Sequence, residues 1–68
     1  MEFVKLENNH FKVFFEGAEW FLTLEKNNTM TKVYVYEYYY TMDNKYIGSF
    51  CFVDSKETLE SAFKKFMG

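Results

Sequence analysis

The chain has 68 residues, which is enough for one domain with a small core. Its hydrophobic fraction of 49% and aromatic fraction of 24% exclude a disordered chain. The formal net charge is −2 and every basic residue is Lys, which argues against sequence-specific DNA reading because Arg is its usual agent.

The cysteine count and the hydropathy pattern indicate a cytoplasmic protein. Cys51 is the single cysteine, so no internal disulfide can form and a reducing compartment is expected. The N-terminus alternates from Glu2 onward and does not resemble a signal peptide. No apolar run approaches the ~20 residues that span a bilayer, so we expect no membrane association.

Five segments of alternating polarity predict β-strands. Asn8-Asn9 is typical of a two-residue type I′ turn, because Asn tolerates positive φ. Glu16-Gly17 predicts a second tight turn, with Gly17 in the left-handed region. The predicted strands are approximately 2–7, 10–15, 18–25, 31–41 and 46–53.

The apolar residues of these strands fall on one predicted sheet face. Antiparallel partners across a two- or four-residue turn have position numbers with an odd sum, so facing sets alternate parity. The apolar sets do alternate through all five strands. The predicted aliphatic face consists of Val4, Leu6, Phe11, Val13, Phe15, Trp20, Leu22, Leu24, Val33, Val35, Phe50 and Phe52. The same register places Gly48 opposite Tyr39, whose ring would cover the missing side chain.

The last segment changes to a helical period. An apolar stripe from Leu59 to Met67 predicts a helix over 55–67, with Asp54 or Ser55 as N-cap and Glu57 in capping-box spacing. The predicted fold class is α+β. One domain, residues 1–68, contains a five-stranded antiparallel β-meander with the helix packed on its aliphatic face. Because one helix is narrower than five strands, either sheet curvature or a dimer partner is expected to cover the rest.

The second predicted face is aromatic and also charged. It contains Phe3, Lys5, Lys12, Phe14, Glu19, Phe21, Thr23, Lys32, Tyr34, Tyr36, Tyr38, Tyr40, Ser49 and Cys51. Tyr combines apolar area with a hydrogen-bonding tip and is favoured at interfaces. The plainer interpretation is that Tyr has high β-propensity and is exposed here without a ligand.

The leading functional hypothesis is a non-enzymatic protein-binding role, through a homodimer or against a host protein. The residues predicted to bind the partner are Phe14, Phe21, Tyr34, Tyr36, Tyr38 and Tyr40. Small size and a composition typical of AT-rich genomes favour an accessory protein of a phage or mobile element that inhibits a host or defence protein.

Two other ligands compete for the second face. Single-stranded nucleic acid could stack its bases on the tyrosines, with phosphates bound by Lys5, Lys12 and Lys32. The glutamates on and near this face and the missing Arg oppose that alternative. A small-molecule pocket in a curved sheet is the third hypothesis, but no convergent polar set supports it.

Catalysis finds no support in the residue types. His10 is the single histidine and is predicted to lie opposite Glu7 in a structural or solvated role. Cys51 is flanked by Phe50 and Phe52, so we predict a packed, inert thiol. The sequence shows no metal-ligand spacing or phosphate-binding loop, and we predict no enzyme activity, cofactor or metal.

Overall fold

A computed structural model describes residues 1–38 and 44–68 of the chain. The strands are β1 (Glu2–Glu7), β2 (His10–Phe15), β3 (Ala18–Lys26), β4 (Met30–Glu37) and β5 (Lys45–Val53), followed by helix α1 (Leu59–Met67). They form one antiparallel sheet in the order β1-β2-β3-β4-β5, which confirms the predicted α+β meander with its C-terminal helix. Residues 39–41 of the predicted fourth strand lie outside the described residues.

The helix packs on the aliphatic face, as the apolar pattern predicts. The fully enclosed residue at its centre is Phe63, which has no exposed surface. The buried core consists of Val13, Leu22, Leu24, Val33, Val35, Phe52, Ala62 and Phe63. Each of the central strands β2, β3 and β4 contributes to this set, so the meander is assembled around one core.

Contacts of the helix with both edges of the sheet show that the sheet is curved. Phe63 packs edge-to-face on Phe3 of β1 and Phe15 of β2, with ring centroids 5.9 and 5.6 Å apart. Phe66 packs on Phe50 of β5 at 5.1 Å. In a flat sheet the outer strands would be about 19 Å apart, beyond the ~10 Å diameter of one helix. The helix therefore occupies the concave side, and the opposite face is convex.

The predicted assignment of β1 to the two faces is wrong. The register shifts between Lys5 and Glu7, so Phe3 pairs with Val13, and Lys5 pairs with Phe11. Paired residues point to the same side, so Phe3 and Lys5 lie on the helix side. Val4 and Leu6, predicted to be in the core, are 36% and 53% exposed instead.

The cause is the turn that precedes β2. A type I′ turn needs positive φ at both central residues, but of the Asn pair only Asn9 has it, at 64°. The tight-turn geometry is therefore replaced by a single left-handed residue beside a β-bulge, which adds one residue to β1. At the next turn both Glu16 and Gly17 have positive φ, as a type I′ turn requires.

Gly48 is not opposite Tyr39. It pairs with Val35, and the register shifts beyond it so that Tyr46 pairs with Tyr36. A Cβ atom at Gly48 would lie 3.2 Å from Cζ of Phe66. The missing side chain therefore makes room for a ring of the helix rather than for one of the tyrosines.

The helix begins later than predicted. Its N-cap is Thr58, whose hydroxyl accepts a hydrogen bond from the Ser61 backbone N–H. The carboxylate of Asp54 is engaged elsewhere, because it accepts a 2.7 Å hydrogen bond from the buried hydroxyl of Thr31. Residues 54–56 form turns, in which Lys56 N–H donates to the Val53 carbonyl.

Glu57 precedes the helix and is tied to its last turn. Its carboxylate lies 2.9 Å from Nζ of Lys65 and also accepts from the Ser61 hydroxyl. The hydrogen bond from Lys65 lowers the pKa of Glu57 below its ordinary value, against the opposing effect of desolvation. Since the folded-state pKa is the lower one, this contact stabilises the fold above the unfolded pKa and is lost as the pH falls through the folded value.

Candidate protein-binding face

The convex side of the sheet carries a continuous set of aromatic and apolar side chains, here called the tyrosine face. Strand register places most of its residues, and contacts with Phe21 and its surroundings place Leu6 and Tyr38. The residues are Val4, Leu6, His10, Lys12, Phe14, Glu19, Phe21, Thr23, Glu25, Lys32, Tyr34, Tyr36, Tyr38, Tyr46, Ser49 and Cys51. Alternation is the local cause in β2, β3 and β4, where these residues alternate with residues that face the helix. In β1 and β5 a register shift also decides which residues reach this side.

The middle of the tyrosine face is an aromatic ridge that crosses β3, β4 and β5. Phe21 packs edge-to-face on Tyr38 with ring centroids 5.3 Å apart. Tyr36 lies opposite Phe21 and packs on Tyr46 at 5.5 Å. The backbone N–H of Tyr38 donates to the Glu19 carbonyl at 3.1 Å, which holds this residue against β3 beyond the end of β4. These contacts fix the rings without burying them in the core.

Two shallow depressions flank the ridge. One, of about 400 Å³, is lined mainly by apolar and aromatic groups of the sheet, with Leu6, Phe21 and Tyr36 among them. The other, of about 470 Å³, lies beside the Glu16-Gly17 turn and is lined by Phe14, Gly17, Ala18, Glu19 and Tyr38. Ridges with adjacent hollows give a partner places to seat anchoring side chains.

Charged groups of both signs lie next to one another on the face. Nζ of Lys12 lies 3.4 Å from the Glu19 carboxylate and 5.6 Å from the centre of the Phe14 ring. Nζ of Lys32 lies 5.0 Å from the centre of the Tyr34 ring. Lys32 is also directly opposite Glu25 across β3 and β4. The face therefore presents mixed charge at its rim and no concentrated positive potential.

Five of the six predicted partner-binding residues share this face. They are Phe14, Phe21, Tyr34 and Tyr36, which the strand register places, and Tyr38, which packs on Phe21. Tyr40 lies outside the described residues. Phe14 is 41% exposed and the other four are partly buried by their neighbours.

Three apolar members of the face were not anticipated. Val4 and Leu6 come to it because of the β-bulge in β1, and Tyr46 comes to it because of the register shift in β5. Tyr46 is 52% exposed, like Leu6. The Asn pair was the available signal for the first shift, since a single left-handed residue at a hairpin turn is typical of a bulge.

The lysine set predicted for nucleic acid is not assembled. Lys5 lies on the helix side with its partner Phe11, on the opposite side of the sheet from Lys12 and Lys32. Of the two that remain, Lys12 is already bound to Glu19. Of the three predicted lysines, only Lys32 is therefore on the tyrosine face without an ion pair to the described residues and able to meet a phosphate backbone there.

The predicted burial of Cys51 is wrong. Its side chain is exposed on the tyrosine face, opposite Lys32, because the helix covers the other side of β5. His10 does lie opposite Glu7, with Nδ1 3.7 Å from that carboxylate, and Nδ1–H donates to the Asn8 carbonyl. Within residues 1–38 and 44–68 no three metal-ligating side chains converge. No helix in the same residues has the length and apolarity needed to cross a bilayer.

Comparison with known proteins identifies no relative. The chain matches no protein-family model, no curated protein and no solved structure. The geometry of the tyrosine face is therefore the basis for assigning a function.

Proposed function

We propose that this chain is a non-enzymatic binding protein that contacts a protein partner through the tyrosine face. The observation that carries the proposal is the aromatic ridge of Phe21, Tyr36, Tyr38 and Tyr46, held in place yet left on the convex side that the helix does not cover. Tyrosine is enriched among the residues that dominate binding energy at protein interfaces, because it brings area at a small entropic cost.

The charge arrangement supports a protein partner over a nucleic acid. A protein interface has an apolar centre and a polar rim, which the ridge, the Lys12–Glu19 ion pair and the facing side chains of Lys32 and Glu25 resemble. Binding of single-stranded nucleic acid depends on cations that replace the counterions of the phosphates. Since Lys5 is on the other side of the sheet, the face has few cations for that purpose.

The biological role we propose is occlusion of a host or defence protein by an accessory protein of a phage or mobile element. A small domain with a rigid aromatic surface is suited to blocking another protein's working surface without chemistry of its own. The residue bias towards Lys, Asn, Tyr and Phe, with no Arg, Pro or Gln, supports an AT-rich source.

The test removes the centre of the ridge. The chain is used as bait in a bacterial lysate, and proteins retained by it are compared with those retained by the variant Tyr36→Ser/Tyr38→Ser. We expect the partner to be lost from the variant. With the purified partner, calorimetry should show at least about a hundredfold weaker binding, because each truncated tyrosine at a hot spot costs ~2 kcal/mol.

Two controls give the result its meaning. The variant Glu60→Ser/Lys64→Ser changes exposed positions of α1 and should retain the partner, and far-ultraviolet circular dichroism should show that both variants keep the fold. Retention of every protein by the tyrosine variant would contradict the proposal. Binding of an unstructured oligonucleotide that weakens steeply with salt would replace it with the nucleic-acid alternative.

A further inference from the structure

The outer edge of β5 differs from the outer edge of β1. β5 has one neighbour in the sheet, β4, so its other side is an open edge. From Tyr46 to Val53 this strand carries no charged residue. β1, the opposite edge, carries Glu2, Lys5 and Glu7 as well as a bulge, which are the usual devices that keep an edge from pairing.

The hydrogen-bond phase of the sheet shows which groups point outward along β5. The N–H of Asp54 donates to the Thr29 carbonyl, which is the hydrogen-bonded type of antiparallel pair. Such pairs recur at every second residue, so Phe52, Phe50 and Gly48 direct their backbone groups to β4.

The residues between them direct their backbone groups to the open edge. These are Ser49, Cys51 and Val53. The Val53 carbonyl already accepts hydrogen bonds from Lys56 and Glu57. Ser49 and Cys51 are left with an outward N–H and an outward carbonyl each, and no group of the described residues pairs with them.

We propose that β5 pairs with β5 of a second copy of this chain, antiparallel, about a two-fold axis through Phe50. In this register Ser49 lies opposite Cys51 of the second copy. All four outward groups of each copy are then paired, which gives four backbone hydrogen bonds across the axis. Moving the axis by one residue would bring either Val53 or Ile47 into the hydrogen-bonded ladder. The Val53 carbonyl already accepts two hydrogen bonds, and Ile47 lies at the register shift between β4 and β5.

Side chains on both sides of the sheet fit this arrangement. The two Phe50 residues form the close, non-hydrogen-bonded type of pair on the helix side, where Phe66 is partly exposed beside them. A two-fold axis perpendicular to the sheet keeps the two helices on one side. The two tyrosine faces therefore become continuous, and both stay open to a partner.

This inference goes beyond the proposed function and does not depend on it. The dimer uses the edge of β5, whereas the partner contacts the convex face. A dimer that binds no partner would support the dimer and contradict the proposed function. A monomer that binds a partner would do the reverse. The dimer would let one assembly contact two partner molecules, or two sites of one partner, with a gain from effective concentration.

Thiol chemistry tests the register, because Cys51 is the single native cysteine. The two Cys51 residues would be diagonal neighbours, about 7–8 Å apart, which is too far for a disulfide. In the variant Ser49→Cys the introduced thiol lies directly opposite Cys51 of the second copy, within reach of a disulfide. Under mild oxidation we expect at least about tenfold more linked dimer from this variant than from the unchanged chain.

Two comparisons make the crosslinking decisive. The variant Val53→Cys places its thiol about 13 Å along the strand from the second copy's Cys51 and should link no better than the unchanged chain. Preferential linking through position 53, or of unmodified Cys51 to itself, would overturn the register. Equal and weak linking of all three proteins would overturn the dimer.

Mass measurement in solution tests the dimer without oxidation. We expect light scattering to give twice the 8.3 kDa chain mass, and the variant Tyr36→Ser/Tyr38→Ser to keep that value. The variant Cys51→Glu should weaken association about tenfold or more, because it places like charges on the two sides of the axis. Within one chain the new carboxylate lies opposite Lys32, so the fold of the single chain should tolerate it. Cys51→Ser is the matched control and should remain dimeric. A monomer mass for the unchanged chain at high concentration would refute the proposal.

Discussion

At the scale of single residues, Glu16 is the clearest departure from backbone preference. It has φ of 51° in the turn between β2 and β3, and Gly17 after it has φ of 76°. A left-handed conformation costs ~1–2 kcal/mol for an ordinary side chain, whereas Asn and Gly adopt it readily. Asn9, with φ of 64°, is a residue that suits this conformation. The chain therefore has an unfavourable residue at one turn and a suitable one at the other.

Replacing Glu16 should stabilise the protein. The variant Glu16→Asn creates the Asn-Gly pair that type I′ turns favour, and we expect the free energy of unfolding to rise by about 1 kcal/mol. Urea denaturation followed by circular dichroism measures it. Glu16→Gln is the control, since it removes the charge and leaves the backbone preference unchanged, so its effect should stay within about 0.3 kcal/mol. Equal gains from both variants would attribute the effect to charge.

At the scale of elements, the helix depends on its N-cap because it is short. α1 spans nine residues, which is too short to be stable alone, so its packing and its N-cap must hold it. Thr58 satisfies the Ser61 N–H, and Gly68 N–H donates to the Lys64 carbonyl at the other end. Each end of the helix therefore has one of its free backbone groups satisfied by a cap.

Removal of the cap should cost about 1 kcal/mol. The variant Thr58→Ala leaves the Ser61 N–H without its side-chain acceptor and should lower the free energy of unfolding by that amount. Thr58→Ser keeps the hydroxyl and should lie within about 0.3 kcal/mol of the unchanged chain. The variant Asp54→Ala distinguishes a cap at 58 from one at 54. It should leave amide exchange in the first turn of α1 unchanged and affect the Thr31 contact instead.

Elements were predictable from the sequence to the extent that alternation was regular. From β2 to β5 the turns preserve parity as far as Gly48, so the facing sets of those strands follow directly from the apolar pattern. The predicted facing of β1 was wrong because a bulge reverses which residues point to the core. The bulge depends on the backbone dihedral angles of the turn that follows β1, and the Asn pair is compatible with a bulged turn as well as with a regular one. The predicted start of the helix was wrong because Asp54 and Thr58 are both acceptable N-cap residues. The structure excludes Asp54 because its carboxylate accepts a hydrogen bond from Thr31, which is distant in sequence.

The tyrosine face was predictable in its aromatic centre and not at its rim. Tyr34, Tyr36 and Phe21 follow from parity within regular strands. Leu6 and Tyr46 join the face through register shifts at the two edge strands, where no second neighbour enforces alternation. Burial of Cys51 was mispredicted for a related reason: flanking phenylalanines indicate a buried strand, but only every second residue of it faces the helix.

At the scale of the whole molecule, one ring joins the curved sheet to its helix. Phe63 has no exposed surface and contacts Phe3 and Phe15, which belong to the two strands farthest from the helix's own neighbour β5. Because Phe66 packs on Phe50 of β5, the helix connects the two ends of the five-stranded sheet across its concave side. Loss of the Phe63 ring would leave β1 without its main contact to the rest of the core.

The variant Phe63→Ala should lose most of the stability of the domain. Truncation of a buried Phe costs ~3–5 kcal/mol, and a domain of this size has only ~3–10 kcal/mol in total. Phe66→Ala is the matched comparison, because that ring is partly exposed, and it should cost roughly half as much. Thermal unfolding monitored by near-ultraviolet circular dichroism measures both. A larger loss from Phe66→Ala would mean that contact with β5, and not closure of the curve, holds the helix.

The bulge in β1 also affects how strictly the register of that strand is fixed. Strand register is normally enforced because a one-residue slip moves apolar residues into water. In β1 the present register gives the core Phe3, and the slipped register would give it Val4 and Leu6 instead. Neither choice leaves the core without an apolar side chain, so the usual penalty is reduced for this strand. A one-residue slip of β1 is therefore expected to cost less free energy than the same slip in the other four strands, and it would exchange the side chains that this strand presents on the convex side.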